Sequence, residues 1–244
     1  CIEMEKTLGG TCLNVGCIPS KSLLHNSHLY HQAKHDLKER GIVTGQVSLD
    51  LPVMLRHKEQ AVDSLTKGIE MLFRKNKVTR FIGRGRIENP HEILVSPINK
   101  EQTQSTDKIG PNETKRIQAK HIIVATGSKP IELKGVEIDE CQIVTSTGAL
   151  SFSQVPQRLV VVGGGIIGLE LGTVWNRLGS QVTVIESLKF IGGSAIDRGI
   201  STSFLKILQK QGMKFMLGSK VNSIRKIKQA VEVEVDGGES ISCD

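Results

Sequence analysis

Leu159-Val160-Val161-Val162-Gly163-Gly164-Gly165-Ile166-Ile167-Gly168 is an apolar, β-branched run that breaks into glycines and then resumes with helical spacing. A run of this kind reads as a strand. The glycines fit G-x-G-x-x-G: Gly163 makes the tight turn, Gly165 lets backbone approach a pyrophosphate, and Gly168 permits close helix–strand packing. A helix is predicted over Ile166–Leu178, stopped by Gly179, and a second strand over Gln181–Glu186. The N–H groups at the start of that helix, around Ile166 and Ile167, are expected to meet the phosphates. Glu186 closes the second strand 18 residues beyond Gly168, where a carboxylate accepts from an adenosine ribose 2′-OH and repels a 2′-phosphate. NAD is therefore favoured over NADP, with Lys189 pulling weakly the other way. A glycine-rich turn without ligand is the alternative, and the strand–turn–helix context weighs against it. Glu170, read as lying in the first helical turn, either complements the helix dipole or faces a nicotinamide ring.

Outward from this unit, a further helix is predicted over about 197–211, stopped by Gly212, and short strands over 213–242. Upstream, helices are predicted over 17–40 and 52–76. In the second, Ala61, Val62, Leu65, Ile69, Leu72 and Phe73 share one face. Residues 78–95 read as short strands interrupted by Gly83, Gly85 and the Asn89-Pro90 turn. From Ser96 to Arg116 the chain is polar, with Ile98 and Ile109 its only large apolar residues, which reads as a surface loop or hairpin tip. A buried strand is predicted over His121–Ala125, running into Thr126-Gly127-Ser128. Strands alternating with helices make the chain α/β. The 244 residues suit one large domain or two smaller ones. The boundary is placed near 150–157, where Ser151–Pro156 joins the halves.

A hydrophobic content of 38% and a charged content of 23% exclude wholesale disorder. The longest apolar runs, Ile122–Ala125 and Leu159–Val162, fall far short of the roughly 20 residues of a membrane helix, so no membrane partner is expected. The net charge of +7 raises nucleic-acid binding as a question, but Lys and Arg are spread along the whole chain and aromatic residues are only 3%. Single-strand binders interleave stacking rings with their charges, so a solvated basic surface is the better reading. His25, His28, His31 and His35 share a broad helical face, yet no carboxylate is spaced to complete a metal shell, and no metal is expected.

Five cysteines, an odd number, cannot form a fully paired secreted framework. Two stand close together in Gly9-Gly10-Thr11-Cys12-Leu13-Asn14-Val15-Gly16-Cys17-Ile18-Pro19-Ser20-Lys21. Four residues between them allow a small ring across one distorted helical turn. Pro19 and the apolar periodicity after it place Cys17 at a helix start, where the dipole lowers a thiol pKa and favours thiol–disulfide exchange. A structural disulfide, a zinc site lacking two further ligands, and buried inert thiols are the competing readings.

Gly9–Lys21 resembles the redox-active segment of the pyridine nucleotide–disulfide oxidoreductases, and within them the dihydrolipoamide dehydrogenase branch. Glutathione and trypanothione reductases usually carry a Val-Pro-Lys-Lys-like ending in place of Ile18-Pro19-Ser20-Lys21. Ala125-Thr126-Gly127-Ser128 and Gly163–Gly168 match the same family in the expected order, and Asn26-Ser27-His28-Leu29-Tyr30-His31 resembles its eukaryotic form. The resemblance implies two Rossmann-like domains, truncated at their outer edges: an FAD-binding domain over 1–150 and an NAD-binding domain over 151–244. It implies that Glu3 ends a strand and holds the FAD ribose, that Thr7, Leu8, Gly9, Gly10, Thr11 and Cys12 line the flavin and pyrophosphate, and that Lys21 lies near the isoalloxazine. Gly85, Thr126, Gly127 and Ser128 match further FAD contacts, while Glu170, Glu186 and Val221 match NAD contacts. Cys12 becomes the interchange thiol that attacks lipoamide sulfur, and Cys17 the thiolate that exchanges electrons with the flavin.

On that resemblance the implied reaction oxidises dihydrolipoamide and reduces NAD, in a homodimer serving 2-oxoacid dehydrogenase complexes through their lipoyl domains, in the mitochondrial matrix if the chain is eukaryotic. A related reductase acting on another thiol, and a nucleotide-binding module without turnover, are the alternatives. No flavin-binding G-x-G-x-x-G precedes Cys1, no initiator Met is present, and no His-Pro-x-x-Ser-Glu follows His121, the last histidine. An internal fragment is therefore expected, one that does not turn over by itself. No role is assigned to Cys1, Cys141 or Cys243.

Overall fold

Strands β6 (Arg158–Val162), β7 (Gln181–Glu186) and β8 (Lys214–Leu217) pair in parallel in that order, with helix α5 (Ile166–Leu178) between the first two and α6 (Arg198–Lys210) between the last two. This computed structural model describes residues 1–98, 114–131, 133–228 and 230–244. Most of the polar stretch 96–116 thus lies outside the described residues. The α/β expectation holds, and the βαβ bounds agree with the sequence reading to within a residue. The chain divides into two compact units: residues 1–14 with 62–129, and residues 15–61 with 130–244.

In the second unit, α5 is apolar nearly all round because it is covered on two sides, as a helix without a polar face must be. Leu169 packs with Val182, Val184, Leu208 and Met213 under the sheet. Leu171, Val174, Trp175 and Leu178 pack instead with Leu23 of α2 (Cys17–His31), Leu51 of α3 (Leu51–Lys75) and Leu150 beyond α4 (Ser146–Ala149). Trp175 is fully buried and donates from Nε1 to the Ala149 carbonyl at 3.0 Å. The ammonium of Lys58, a buried lysine, donates to the Leu150 carbonyl at 2.8 Å and Ser151 Oγ at 3.1 Å, and pairs with Glu59 at 2.7 Å. Buried polar groups are tolerated when satisfied in this way. An antiparallel sheet of β9 (Val221–Ile227), β10 (Ala230–Val235) and β11 (Ser240–Cys243) completes the unit. In β10 the alternation is that of a half-buried strand: Val231, Val233 and Val235 are buried, and Glu232 and Glu234 are not.

In the first unit, β1 (Ile2–Glu3) pairs in parallel with β2 (Phe81–Ile82). The strands β3 (Arg84–Asn89), β4 (Glu92–Ser96) and β5 (Lys115–Gln118) form an antiparallel meander. β4 and β5, which flank the undescribed stretch, pair with each other. Three departures from expectation have physical causes. His121–Ala125 is not a strand: Ile123 is 90% exposed, and no third strand among the described residues offers it a ladder. On α3, Val62 and Thr66 are buried while Leu65 and Leu72 lie exposed at the flank of the apolar stripe. The helix predicted over 17–40 keeps α-geometry only to His31, then rewinds as a π-turn over Gln32–Asp36 and a 3₁₀ turn over Leu37–Arg40, ending at Gly41 with φ +77°.

The rewound segment sets His31 against His35, with ring centroids 4.8 Å apart. Burial pulls His31 below its ordinary value of 6.5; Asp36 opposes the shift, and His35, Arg177 and His28 reinforce it. An unfolded chain takes up this proton more readily than the folded one, so stability falls as pH drops through 6.5. His31→Gln is expected to flatten the loss of thermal stability between about pH 7 and pH 5; equal slopes for the two proteins would refute this. A second prediction separates two fingerprint glycines. A Cβ on Gly168 would meet the Gly163 carbonyl oxygen at 2.5 Å and Val161 Cγ1 at 2.9 Å, whereas one on Gly165 meets nothing within 4 Å. Gly168→Ala is expected to cost about 1–3 kcal/mol or more in urea unfolding, and Gly165→Ala little.

Candidate functional site

Gly163 leaves β6 with φ +106°, a conformation that favours glycine, and its N–H donates to the Ile185 carbonyl of β7 at 2.8 Å. The chain then enters α5 at Ile166 through Gly165, whose N-cap position makes no side-chain bond. Glu186 closes the loop from the opposite side. One carboxylate oxygen accepts the Gly164 N–H at 2.7 Å, and the other accepts the Leu188 N–H at 2.8 Å and the Ser187 hydroxyl at 3.1 Å. Gly192 N–H donates to the Gly164 carbonyl at 2.7 Å. Ser219 N–H donates to the Glu186 carbonyl at 3.0 Å, two residues before Val221 opens β9. Gly163, Gly165, Gly168 and Glu186 are thus gathered at the ends of β6 and β7, with the segment that leads to Val221 tied to the same strand.

The helix begins at Ile166, as read from the sequence, but Glu170 is its fifth residue and opens the second turn, so no acid occupies the first. Dipole complementation therefore does not account for it. Lys21 Nζ meets both oxygens, at 2.6 and 2.8 Å, and Ser20 Oγ lies 3.4 Å from one of them. At the other end of the same helix pair, the Arg177 guanidinium donates to the Leu24 carbonyl at 3.3 Å, and burial lowers its pKa. Ser20 is buried and also donates to the Cys17 carbonyl at 3.2 Å. Sequence reasoning used Ser20 only to separate branches of a family and missed this contact.

Cys12 and Cys17 are joined in a disulfide. Cys12 belongs to the short helix α1 (Gly10–Val15), which sequence reasoning did not anticipate, and Cys17 is the first residue of α2, as expected. Gly16 separates the two helices and caps α2 without a side-chain bond, while the Ser20 N–H donates to its carbonyl at 3.0 Å. The start of a 15-residue helix favours a thiolate at Cys17.

In the first unit, Glu3 ends β1, as the resemblance implied, and accepts the Glu5 N–H at 2.9 Å. Gly85 packs against β1: a Cβ there would meet Ile2 Cγ2 at 3.3 Å. Thr11 Oγ1 donates to the Ser128 carbonyl at 3.3 Å across 117 residues, and Gly127, at φ +74°, faces the same hydroxyl. Thr7, Leu8, Gly9 and Gly10 form a turn held by Asn14, another residue that sequence reasoning passed over. Asn14 Oδ1 accepts from Thr7 Oγ1 at 2.8 Å, and Nδ2 donates to the carbonyls of Leu8 at 3.1 Å and Gly10 at 2.9 Å.

Cys1, Cys141 and Cys243 are free thiols, and burial raises the pKa of Cys243. Among the described residues, no group of three His, Cys, Asp or Glu is placed to hold a metal, and no helix is long and apolar enough to cross a membrane. The donors fit nucleotides on structural grounds. A glycine loop with open space at Gly165 sits beside a strand-end carboxylate in one unit, and the strand-end Glu3 and the joined 11/127–128 turn occur in the other.

Curated relatives match nearly the whole chain, two of them as follows. A dihydrolipoamide dehydrogenase of Chaetomium thermophilum is 50% identical over 236 residues, covering 97% of this chain and 44% of its own length. The mitochondrial dihydrolipoyl dehydrogenase 1 of Arabidopsis thaliana is 51% identical over 239 residues, covering 98% and 45%. The chain thus spans about half the length of these relatives. Among solved structures, LpdA of Mycobacterium tuberculosis shares the fold with a TM-score of 0.82 at 20% identity, over 99% of this chain and 50% of that one. The family profile of pyridine nucleotide-disulphide oxidoreductases matches residues 1–244, and the chain belongs to that family.

Proposed function

We propose that the protein of which this chain is part oxidises dihydrolipoamide to lipoamide and passes the electrons to NAD. The observation that carries the reading is the Cys12–Cys17 disulfide at the head of α2, a helix ion-paired through Lys21 to Glu170 on the fingerprint helix. The relatives at about half identity, named for this activity, support it. Residues 1–150 are assigned to the FAD-binding domain and 151–244 to the NAD-binding domain. Glu3, Thr7–Cys12, Lys21, Gly85 and Thr126–Ser128 would hold FAD. Gly163–Gly168, Glu170, Glu186 and Val221 would hold NAD.

In the chain's own chemistry, a dihydrolipoamide thiolate attacks Cys12 Sγ. The Cys12–Cys17 bond breaks, a mixed disulfide forms on Cys12, and Cys17 departs as a thiolate. The second substrate thiolate then attacks the substrate sulfur of that mixed disulfide. Cyclic lipoamide leaves, Cys12 is released as a thiolate, and two electrons rest on the cysteine pair. The Cys17 thiolate gains from the α2 N-terminus. Bound FAD supplies a two-electron relay between a dithiol and a nicotinamide. Lys21, fixed by Glu170, holds a positive charge one turn from Cys17, and Glu186 selects the unphosphorylated ribose. As the family resemblance implies, the whole protein would form a homodimer serving 2-oxoacid dehydrogenase complexes through their lipoyl domains. Several relatives are named mitochondrial, which supports the mitochondrion, and on the resemblance its matrix, if the chain is eukaryotic.

Two measurements on the full-length protein test this. Dihydrolipoamide-dependent reduction of NAD should be present in the wild type and fall by about a thousandfold or more in Cys17→Ser, because the sulfur that carries the electrons is gone. Retention of that activity, or its absence from the wild type, defeats the proposal. These 244 residues alone are expected to show no turnover. Glu186→Gln removes the repulsion toward a 2′-phosphate and should narrow the preference for NAD over NADP by about tenfold; an unchanged ratio of kcat/KM values counts against the role given to Glu186.

A further inference from the structure

Asn14 lies between the two cysteines, yet neither the disulfide nor the ion pair on α2 accounts for its side chain. Three of its four amide valences are spent on one turn. The Thr7 hydroxyl donates to Oδ1 at 2.8 Å, and Nδ2 donates to the carbonyls of Leu8 at 3.1 Å and Gly10 at 2.9 Å. That turn is costly to hold by backbone alone. Gly9 and Gly10 both take positive φ, at +112° and +62°, and glycine loses more conformational freedom on ordering than any other residue. Apolar contacts fix only its edges. Leu8 is buried, and a Cβ on Gly9 would already meet Leu13 Cβ at 2.9 Å.

We propose that Asn14 is a positioning residue, which sets the Thr7–Cys12 turn and with it both the backbone offered to the flavin and the placement of the Cys12 sulfur. This rests on the flavin and disulfide roles proposed above. In a trans peptide the N–H points opposite to the C=O. Drawing the Leu8 and Gly10 carbonyls onto Asn14 therefore turns the N–H groups of Gly9 and Thr11 away from it. The Thr11 side chain meanwhile reaches the Ser128 carbonyl. The amide thus decides which way the turn presents its donors, and Cys12 follows immediately. A carboxylate at the same position could accept from Thr7 but would face two carbonyl oxygens with no donor.

The test uses the full-length protein and two variants, with two readouts that do not depend on turnover. Asn14→Asp keeps the shape and reverses the donors; Asn14→Ser removes the amide without adding charge. FAD affinity is measured by reconstitution after flavin removal. The Cys12–Cys17 redox equilibrium is measured on the flavin-free protein in a glutathione buffer. Both variants are expected to bind FAD about tenfold or more weakly and to shift the thiol–disulfide equilibrium severalfold, with the fold intact by circular dichroism. Values within twofold of the wild type for either variant overturn the proposal. An effect in Asn14→Asp alone also overturns it, since that marks a charge effect in place of positioning. If Asn14→Asp does not fold, Asn14→Ser decides. A wild type that lacks dihydrolipoamide oxidation, with both readouts still shifted in the variants, would sink the proposed function while leaving the role of Asn14 standing.

Discussion

The second unit depends on α5 being covered on two faces. Its sheet side, at Gly168 and Gly172, approaches so closely that a Cβ at either would press on the Gly163 carbonyl or on Met213. Its other side buries Trp175 against α2, α3 and the end of α4. Interiors this close-packed do not deform continuously. A helix clamped between a sheet and a second helix layer therefore carries both its ends at fixed positions: the fingerprint loop at Gly163–Gly165, and Arg177 on the Leu24 carbonyl.

Against that frame, the Lys21–Glu170 pair contributes little to stability. Lys21 is 59% exposed, and exposed pairs are worth at most about 1 kcal/mol. Its value is geometric. Packing already fixes the two helix backbones, so the carboxylate is presented at a set position, and a flexible lysine is held one turn beyond Cys17. Ser20, buried and bonded to the Cys17 carbonyl, sits on the same carboxylate. A longer side chain at residue 20 would have to leave that buried position.

The βαβ unit was legible because each of its signals is local: a β-branched run, glycines at fixed offsets, a stop at Gly179 and an acid at Glu186. The start of α2 was legible from Pro19 for the same reason. What escaped depended on distant partners. Ile122–Ala125 has the composition of a buried strand, but a strand exists only where another supplies its ladder. Lys115–Gln118, with Ile117 its one apolar residue, is a strand because β4 pairs with it. The contacts of Ser20 and Asn14 were invisible because small polar residues in a helical segment announce no partner. Glu170 was assigned to the first turn although the helix start at Ile166 was read correctly; as the fifth residue it opens the second turn.

The two units repeat one local device. In each, a glutamate ends a parallel strand and accepts the N–H two residues on: Glu3 from Glu5 at 2.9 Å, and Glu186 from Leu188 at 2.8 Å. The bond fixes the carboxylate's direction at the point where the strand stops and its side chain would otherwise be free to rotate. At Glu186 the second oxygen is also spent, on the Gly164 N–H, which ties the acid to the turn preceding α5. In the proposed NAD site, a 2′-OH would meet a carboxylate whose orientation is already set, so little rotamer entropy would remain to be lost on binding. The same bond also pins the glycine loop at Gly164. In the NAD site proposed above, one acid would then select the ribose and shape the phosphate site, and a change at Glu186 would act on both together.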